Sequence, residues 1–117
     1  MVDDARTTGP FSIDDDAGDS TGPALVVRSG SLAGVVHQLE APEVTVGRSP
    51  SCDIFLDDIT VSRNHARLTL ADGAVKLVDL DSLNGTYVNR RRIEDSETLS
   101  HGDELQIGKF RLAFISG

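Results

Sequence analysis

Three polar clusters near the middle of the chain hold the residues best suited to chemistry: Gly47-Arg48-Ser49, Ser62-Arg63-Asn64-His65 and Ser82-Leu83-Asn84-Gly85-Thr86. Together they offer two guanidiniums, several hydroxyls and amides able to pair with backbone. An arginine presents a fork of N–H donors to two oxygens at once, and a hydroxyl supplies a further donor. That inventory suits a phosphate dianion carried on a peptide. It suits catalysis poorly. Ser62, His65 and Asp81 contain the residue types of a hydrolase triad. However, a serine and histidine three apart on a strand-entry loop are badly placed as nucleophile and base, and no Gly-x-Ser-x-Gly elbow exists. His37, His101 and Cys52 are scattered, and Gly34, Gly102 and Gly108 are isolated turn glycines. We expect no enzyme, no metal and no cofactor.

These clusters must be held by the segments between them, and those segments read as strands. Ala24-Leu25-Val26-Val27-Arg28, Val35 to Glu40, Glu43-Val44-Thr45-Val46 and Asp53-Ile54-Phe55-Leu56 come first. His65 to Leu70 alternates polar and apolar, Ala71-Asp72-Gly73 turns the chain, and Val75 to Leu80 runs back as the clearest hairpin. Asn84-Gly85 marks a tight turn before Thr86-Tyr87-Val88. Arg90 to Ile93, Glu97-Thr98-Leu99, Asp103 to Ile107 and Phe110 to Ile115 complete the set. No window of eleven residues keeps a 3.6-residue period without a Gly or Pro interruption. About ten short strands, with turn signals every eight to twelve residues, predict an all-β antiparallel sandwich or barrel.

Charge narrows the partners. The net charge is −8 over 117 residues. Residues 1–23 carry six aspartates against Arg6, leaving the remainder nearly balanced and able to hold a local cationic pocket. An acidic chain with one tyrosine, four phenylalanines and no tryptophan lacks the basic, aromatic surface that nucleic acids require. No apolar run reaches the length of a membrane helix, and the acidic start is not a signal peptide. A single cysteine, Cys52, leaves no disulfide framework, which fits a reducing, cytoplasmic compartment. The segment 1–23 has few sizeable apolar side chains and is expected to be a disordered acidic tail before one domain at 24–117. Arg90-Arg91-Arg92 reads as a solvated edge strand that blocks sheet-to-sheet pairing; docking of an acidic partner is the alternative.

Taken in order and at this spacing, Gly47-Arg48, Ser62-x-x-His65, Ser82-x-Asn84-Gly85-Thr86 and Asn89 resemble the forkhead-associated (FHA) family of phosphothreonine-reading domains. The resemblance covers about residues 24–116. More narrowly, Asp53 to Asp58, Thr60-Val61-Ser62-Arg63 and Gln106 to Leu112 are similar to small cytosolic actinobacterial regulators, with an acidic, phosphorylatable tail before one such domain. The resemblance implies an eleven-stranded sandwich whose loops at one end hold the phosphopeptide. It implies that Arg48, Ser62 and Arg63 meet the phosphate, that Asn84 clamps the peptide backbone, and that Ser82 belongs to the same binding group. Gly47, His65, Gly85, Thr86 and Asn89 would support the loops, with Gly85 and Thr86 shaping the slot for the threonine methyl. Leu83 stands where some relatives place a hydroxyl on the phosphate.

The tail offers its own ligand. Thr7-Thr8-Gly9-Pro10-Phe11 resembles the twin-threonine segment phosphorylated in those regulators, although Arg6 and Gly9-Pro10 depart from it. From Thr8 to Pro23 the chain spans at most about 50 Å, enough to bring a phosphorylated Thr8 to the loops at the far end. The resemblance implies as partners phosphothreonine proteins or the phosphorylated tail, a Ser/Thr protein kinase, and 2-oxoglutarate-metabolising enzymes restrained until the tail is phosphorylated. A phosphothreonine-dependent adaptor with an inert tail is the alternative.

Overall fold

The computed structural model describes residues 22–117. The expected disordered tail and its candidate phosphorylation sites, Thr7 and Thr8, lie outside them. The described residues form eleven strands and one short 3-10 turn, Gly30–Leu32. The strands are β1 Ala24–Val27, β2 Val36–Gln38, β3 Glu43–Gly47, β4 Ile54–Phe55, β5 Ala66–Ala71, β6 Ala74–Asp79, β7 Thr86–Val88, β8 Arg91–Arg92, β9 Ser96–Thr98, β10 Glu104–Ile107 and β11 Phe110–Ile115. They build two sheets, ordered β9-β6-β5-β3-β4 and β2-β1-β11-β10-β7-β8. This is the expected sandwich. No helix among the described residues is long and apolar enough to cross a membrane.

Alternation drives the packing. Val44 and Val46 on β3, Leu68 on β5, and Val75 and Leu77 on β6 point inward. They meet Leu25 and Val27 of β1, Leu105 and Ile107 of β10, and Leu112 and Phe114 of β11. Each fully buried aliphatic side chain contributes about 1.5–3 kcal/mol relative to exposure. Val61, Ile93 and Leu99 extend the core from the loops. A register slip of one residue in any of these strands would turn its apolar set to solvent.

One pairing departs from the antiparallel expectation. β4 runs parallel to β3, with Val46 opposite Ile54 and Gly47 opposite Phe55. Parallel neighbours usually need a crossover of a dozen residues or more. Here residues 48–53 suffice, because β4 overlaps only the last two residues of β3. Asp53 fastens the return by accepting from the Thr45 amide at 2.9 Å, while the Asp53 amide donates to the Thr45 hydroxyl at 3.0 Å.

The expected Asp72-Gly73 hairpin is present: Ala71 faces Ala74, and both turn residues have positive φ (54° and 76°), as a type I′ turn requires. The other two-residue turn of this kind is Asn89-Arg90, with φ of 50° and 69°. Asn84-Gly85, expected to be a tight turn, is a bend in a longer loop.

The register divides the sandwich into two poles. At one lie the loops β3–β4, β4–β5 and β6–β7 and the turn Gly108-Lys109. At the other lie Ala24, Ile115, the Asp72-Gly73 turn and the Asn89-Arg90 turn.

Candidate functional site

All three polar clusters meet at the first pole, tied by backbone and side-chain hydrogen bonds. The Arg48 and Ser49 amides donate to the Ser62 and Arg63 carbonyls at 3.0 and 3.1 Å, joining the first loop to the second. Close contact demands glycine at 47: a Cβ there would overlap the Arg63 carbonyl and come within 2.9 Å of the Cys52 sulfur. The second loop joins the third through Ser62, whose Oγ accepts the Leu83 N–H at 3.0 Å, and through Asn84, whose Nδ2 donates to the Thr60 carbonyl at 2.9 Å.

His65 is the strut beneath. It is fully buried, its Nδ1 accepts the Ser62 amide at 3.0 Å, and its Nε2 donates to the Gly85 carbonyl at 3.0 Å. The Ser62 amide can only donate, so the ring must be the neutral Nε2–H tautomer. Burial lowers its pKa, outweighing the Gly85 bond and the charge of Asp79. Both ring nitrogens face backbone groups, and the Ser62 hydroxyl faces Leu83. No nucleophile–base bond joins serine to histidine.

A second strut was not legible as such. Asp79, at the end of β6, accepts the Ser82 hydroxyl at 2.6 Å, the Thr86 hydroxyl at 2.6 Å and the Ser82 amide at 3.3 Å. Burial pushes its carboxyl up, but these donors together bring it below the usual carboxylate value. Ser82 is therefore 6% exposed with its hydroxyl turned inward, a support of the loop rather than a group offered to ligand. Thr86 is wholly buried on the same carboxylate, so its side chain cannot line a surface slot for a methyl group. Asp79 reads in sequence as one more polar position of a strand; its spacing of three and seven from two motif hydroxyls was the available signal.

Thr60 also went unassigned. Besides accepting from Asn84 on its carbonyl, it donates its hydroxyl and amide to Asp58, and its Oγ1 accepts the Lys109 amide at 2.9 Å. With Lys109 also at 2.9 Å, Asp58 falls to a pKa of about 2, the Thr60 bonds being the main cause. This knot anchors the second loop to the turn of the opposite sheet. Asn89 sits elsewhere. Its amide group bridges Asp103 and the Glu104 N–H at the other pole, so it supports β10 and the β7–β8 turn, not the binding loops.

What remains at the surface is a compact donor set. Arg48 is half-buried, its Nε held on the Val61 carbonyl at 3.1 Å, one residue from Ser62. That bond fixes the side chain and leaves the terminal nitrogens of the guanidinium for another acceptor. The Ser62 hydroxyl accepts from Leu83 and keeps its own proton to donate. Arg63 and Asn84 are exposed. Asn84 spends its Nδ2 on Thr60 and keeps its carbonyl oxygen for a passing N–H. Ile59 and Leu83, 91% and 85% exposed, flank the arrangement.

An eleven-stranded sandwich with such loops at one pole defines a class, and the FHA domain model matches residues 44–108. The chain belongs to the FHA domain family. Among its relatives, the oxoglutarate dehydrogenase inhibitor of Corynebacterium diphtheriae is 56% identical over 103 residues, covering 85% of this chain and 71% of that protein. The glycogen accumulation regulator GarA of Mycolicibacterium smegmatis is 55% identical over 93 residues, covering 80% of this chain and 58% of that one. A solved FHA domain, described in a study of phosphothreonine-dependent FHA interactions, superposes with a TM-score of 0.76 at 29% identity, covering 83% of this chain and 98% of that one.

Proposed function

We propose that the chain is a phosphothreonine-peptide-binding regulatory module of Ser/Thr kinase signalling, with residues 24–117 as the binding domain and 1–23 as a tail it can bind. Arg48, Ser62 and Arg63 meet the phosphate and Asn84 the peptide backbone. The single observation that carries this reading is the state of Ser62: its oxygen accepts the Leu83 amide and, among the described residues, its hydroxyl donates to no other group, while Arg48 nearby is held by its own Nε on the Val61 carbonyl. A phosphothreonine carries about −1.5 to −2 charges and three acceptor oxygens, which is what such a donor set lacks.

The module acts by binding, not by catalysis. Relatives named for inhibition of oxoglutarate dehydrogenase and for glycogen accumulation support enzymes of 2-oxoglutarate metabolism as its targets, with phosphorylation at Thr7 or Thr8 drawing the tail into the cup and displacing them. The experiment is inhibition of a 2-oxoglutarate dehydrogenase by the full chain, unphosphorylated and phosphorylated. Inhibition by the first and not by the second is expected. Equal effects, or none from either, would leave only the adaptor role.

A further inference from the structure

The β7–β8 turn carries an unusual residue. Type I′ turns need positive φ at both central positions, so Gly normally stands second; here Arg90 holds φ 69°. A left-handed conformation is unfavourable for a bulky side chain. The chain nevertheless keeps a cation at this tip and follows it with Arg91 and Arg92, all exposed. Arg91 meets Glu97 at 3.5 Å, both groups well solvated, an ion pair that is readily exchanged. Arg92 is differently placed: its guanidinium lies where a Cβ on Gly85 would come within 2.7 Å of Nε, and it shares a cavity with Asp81 and Glu94. Among the described residues Arg90 has no ion-pair partner and Arg91 has only this exchangeable one, so the positive charge open to another partner is at Arg90 and Arg91.

Register puts this tip on the pole where the N-terminal segment joins the domain. Ala24 pairs with Ile115, Glu104 with Ala113, and the Asn89 amide with the Glu104 carbonyl. β1 and β8 are four strands apart in the same sheet, roughly 19 Å at about 4.8 Å per strand. Asp19 precedes Ala24 by five residues, a reach of about 17 Å, and Asp14 by ten, about 34 Å. Asp14 to Asp16 therefore span the distance to the arginine tip with slack, while Asp19 reaches it only with the chain extended and the length of the arginine side chain added.

We propose that Asp14-Asp15-Asp16 and Asp19 dock on Arg90 and Arg91, making the β7–β8 tip an anion-binding site for the chain's own N-terminal segment. Docking there anchors the tail on the strand whose last arginine already touches the third binding loop. Six residues then separate Asp14 from Thr8, in place of the fifteen that separate Thr8 from Pro23. Six residues reach about 20 Å at most, so docking confines a phosphorylated Thr8 to that radius of the arginine tip and resets its effective concentration at the cup. This consequence rests on the phosphothreonine reading; the docking itself does not.

The test uses the full chain, isotope-labelled and unphosphorylated, beside a variant with Asp14, Asp15, Asp16 and Asp19 all changed to Asn. Amide and guanidinium NMR signals of Asn89 to Arg92 should differ between the two at about 10 mM salt. They should converge at about 1 M, where the screening length falls from roughly 30 Å to roughly 3 Å. The difference should be independent of protein concentration and survive Arg48→Ala. As a reciprocal check, Arg90→Gly with Arg91→Gln, which keeps the turn's φ, should move the signals of Asp14 to Asp19 to their high-salt positions. Coincident signals at low salt would mean the arginines only guard the sheet edge. A difference that grows with concentration would mean contact between molecules. Either result overturns the docking. Failure of the phosphothreonine reading looks different: phosphopeptide binding would be indifferent to Arg48→Ala while the salt-dependent shifts persisted.

Discussion

The two poles of the sandwich solve the same problem by different means. At the far pole, strands reverse through two-residue turns, Asp72-Gly73 and Asn89-Arg90, and strand pairing runs right up to them, with the Asn89 side chain taking the Glu104 amide. At the binding pole, apart from the two-residue Gly108-Lys109 turn, the loops run six to ten residues and cannot pair regularly. Their backbone groups are taken up instead by side chains: His65 for Ser62 and Gly85, Asp79 for Ser82, Thr60 for Lys109, Ser62 for Leu83. An unsatisfied buried backbone group costs about 1–3 kcal/mol, so these struts decide whether the loops exist in one conformation. Function requires irregular loops with free donors, and irregular loops require buried polar residues below them.

The contrast can be broken from the binding side first. Arg48→Ala should weaken phosphothreonine-peptide binding by about 100-fold or more, roughly 3 kcal/mol for lost charge-assisted hydrogen bonds, with thermal stability nearly unchanged. Retained affinity in a titration would contradict the assignment. His65→Ala should have the opposite profile. It removes a packed ring and orphans the Ser62 amide and Gly85 carbonyl, so a loss of about 3 kcal/mol in denaturant unfolding is expected.

The same histidine sets a pH dependence. Its folded pKa lies below the usual value near 6.5, so the unfolded chain takes up the proton first. Its contribution is intact above about pH 6.5 and declines as pH falls below that, by at most about 1.4 kcal/mol per pH unit for one proton. His65→Gln should flatten the stability profile between pH 5 and 7, in urea melts at each pH. Persistence of the slope would place its origin elsewhere.

At the far pole, changes should be smaller and leave binding alone. Gly73→Ala places a side chain at φ 76° and should cost about 1 kcal/mol or a little more, with the phosphopeptide affinity unaltered. A drop in affinity would show that the poles are coupled.

Much of this architecture was readable in the chain. Alternation over 65–80 with Asp-Gly between gave the central hairpin, because that pattern buries one face and admits one turn. The clusters around Arg48, Ser62 and Asn84 were legible because their residue types have little use except binding. What escaped was set by tertiary contact. The parallel β4 depends on how far a six-residue loop doubles back, which no local preference records. The second I′ turn hides because Arg90 does not advertise positive φ, whereas Asn84-Gly85, which does, is drawn into a loop held by Thr60 and His65. Ser82 entered the binding group through the family resemblance; only the nearby Asp79 carboxylate turns it inward.

The central claim is a cup that reads a phosphate on threonine through Arg48 and Ser62. Its most direct test is calorimetry of the full chain with a peptide of residues 3–16 phosphorylated at Thr8, beside the unphosphorylated peptide and the Arg48→Ala chain. One-to-one binding of the phosphorylated peptide alone, lost in the variant, is the predicted result. Equal binding of both peptides, or undiminished binding by Arg48→Ala, would contradict it.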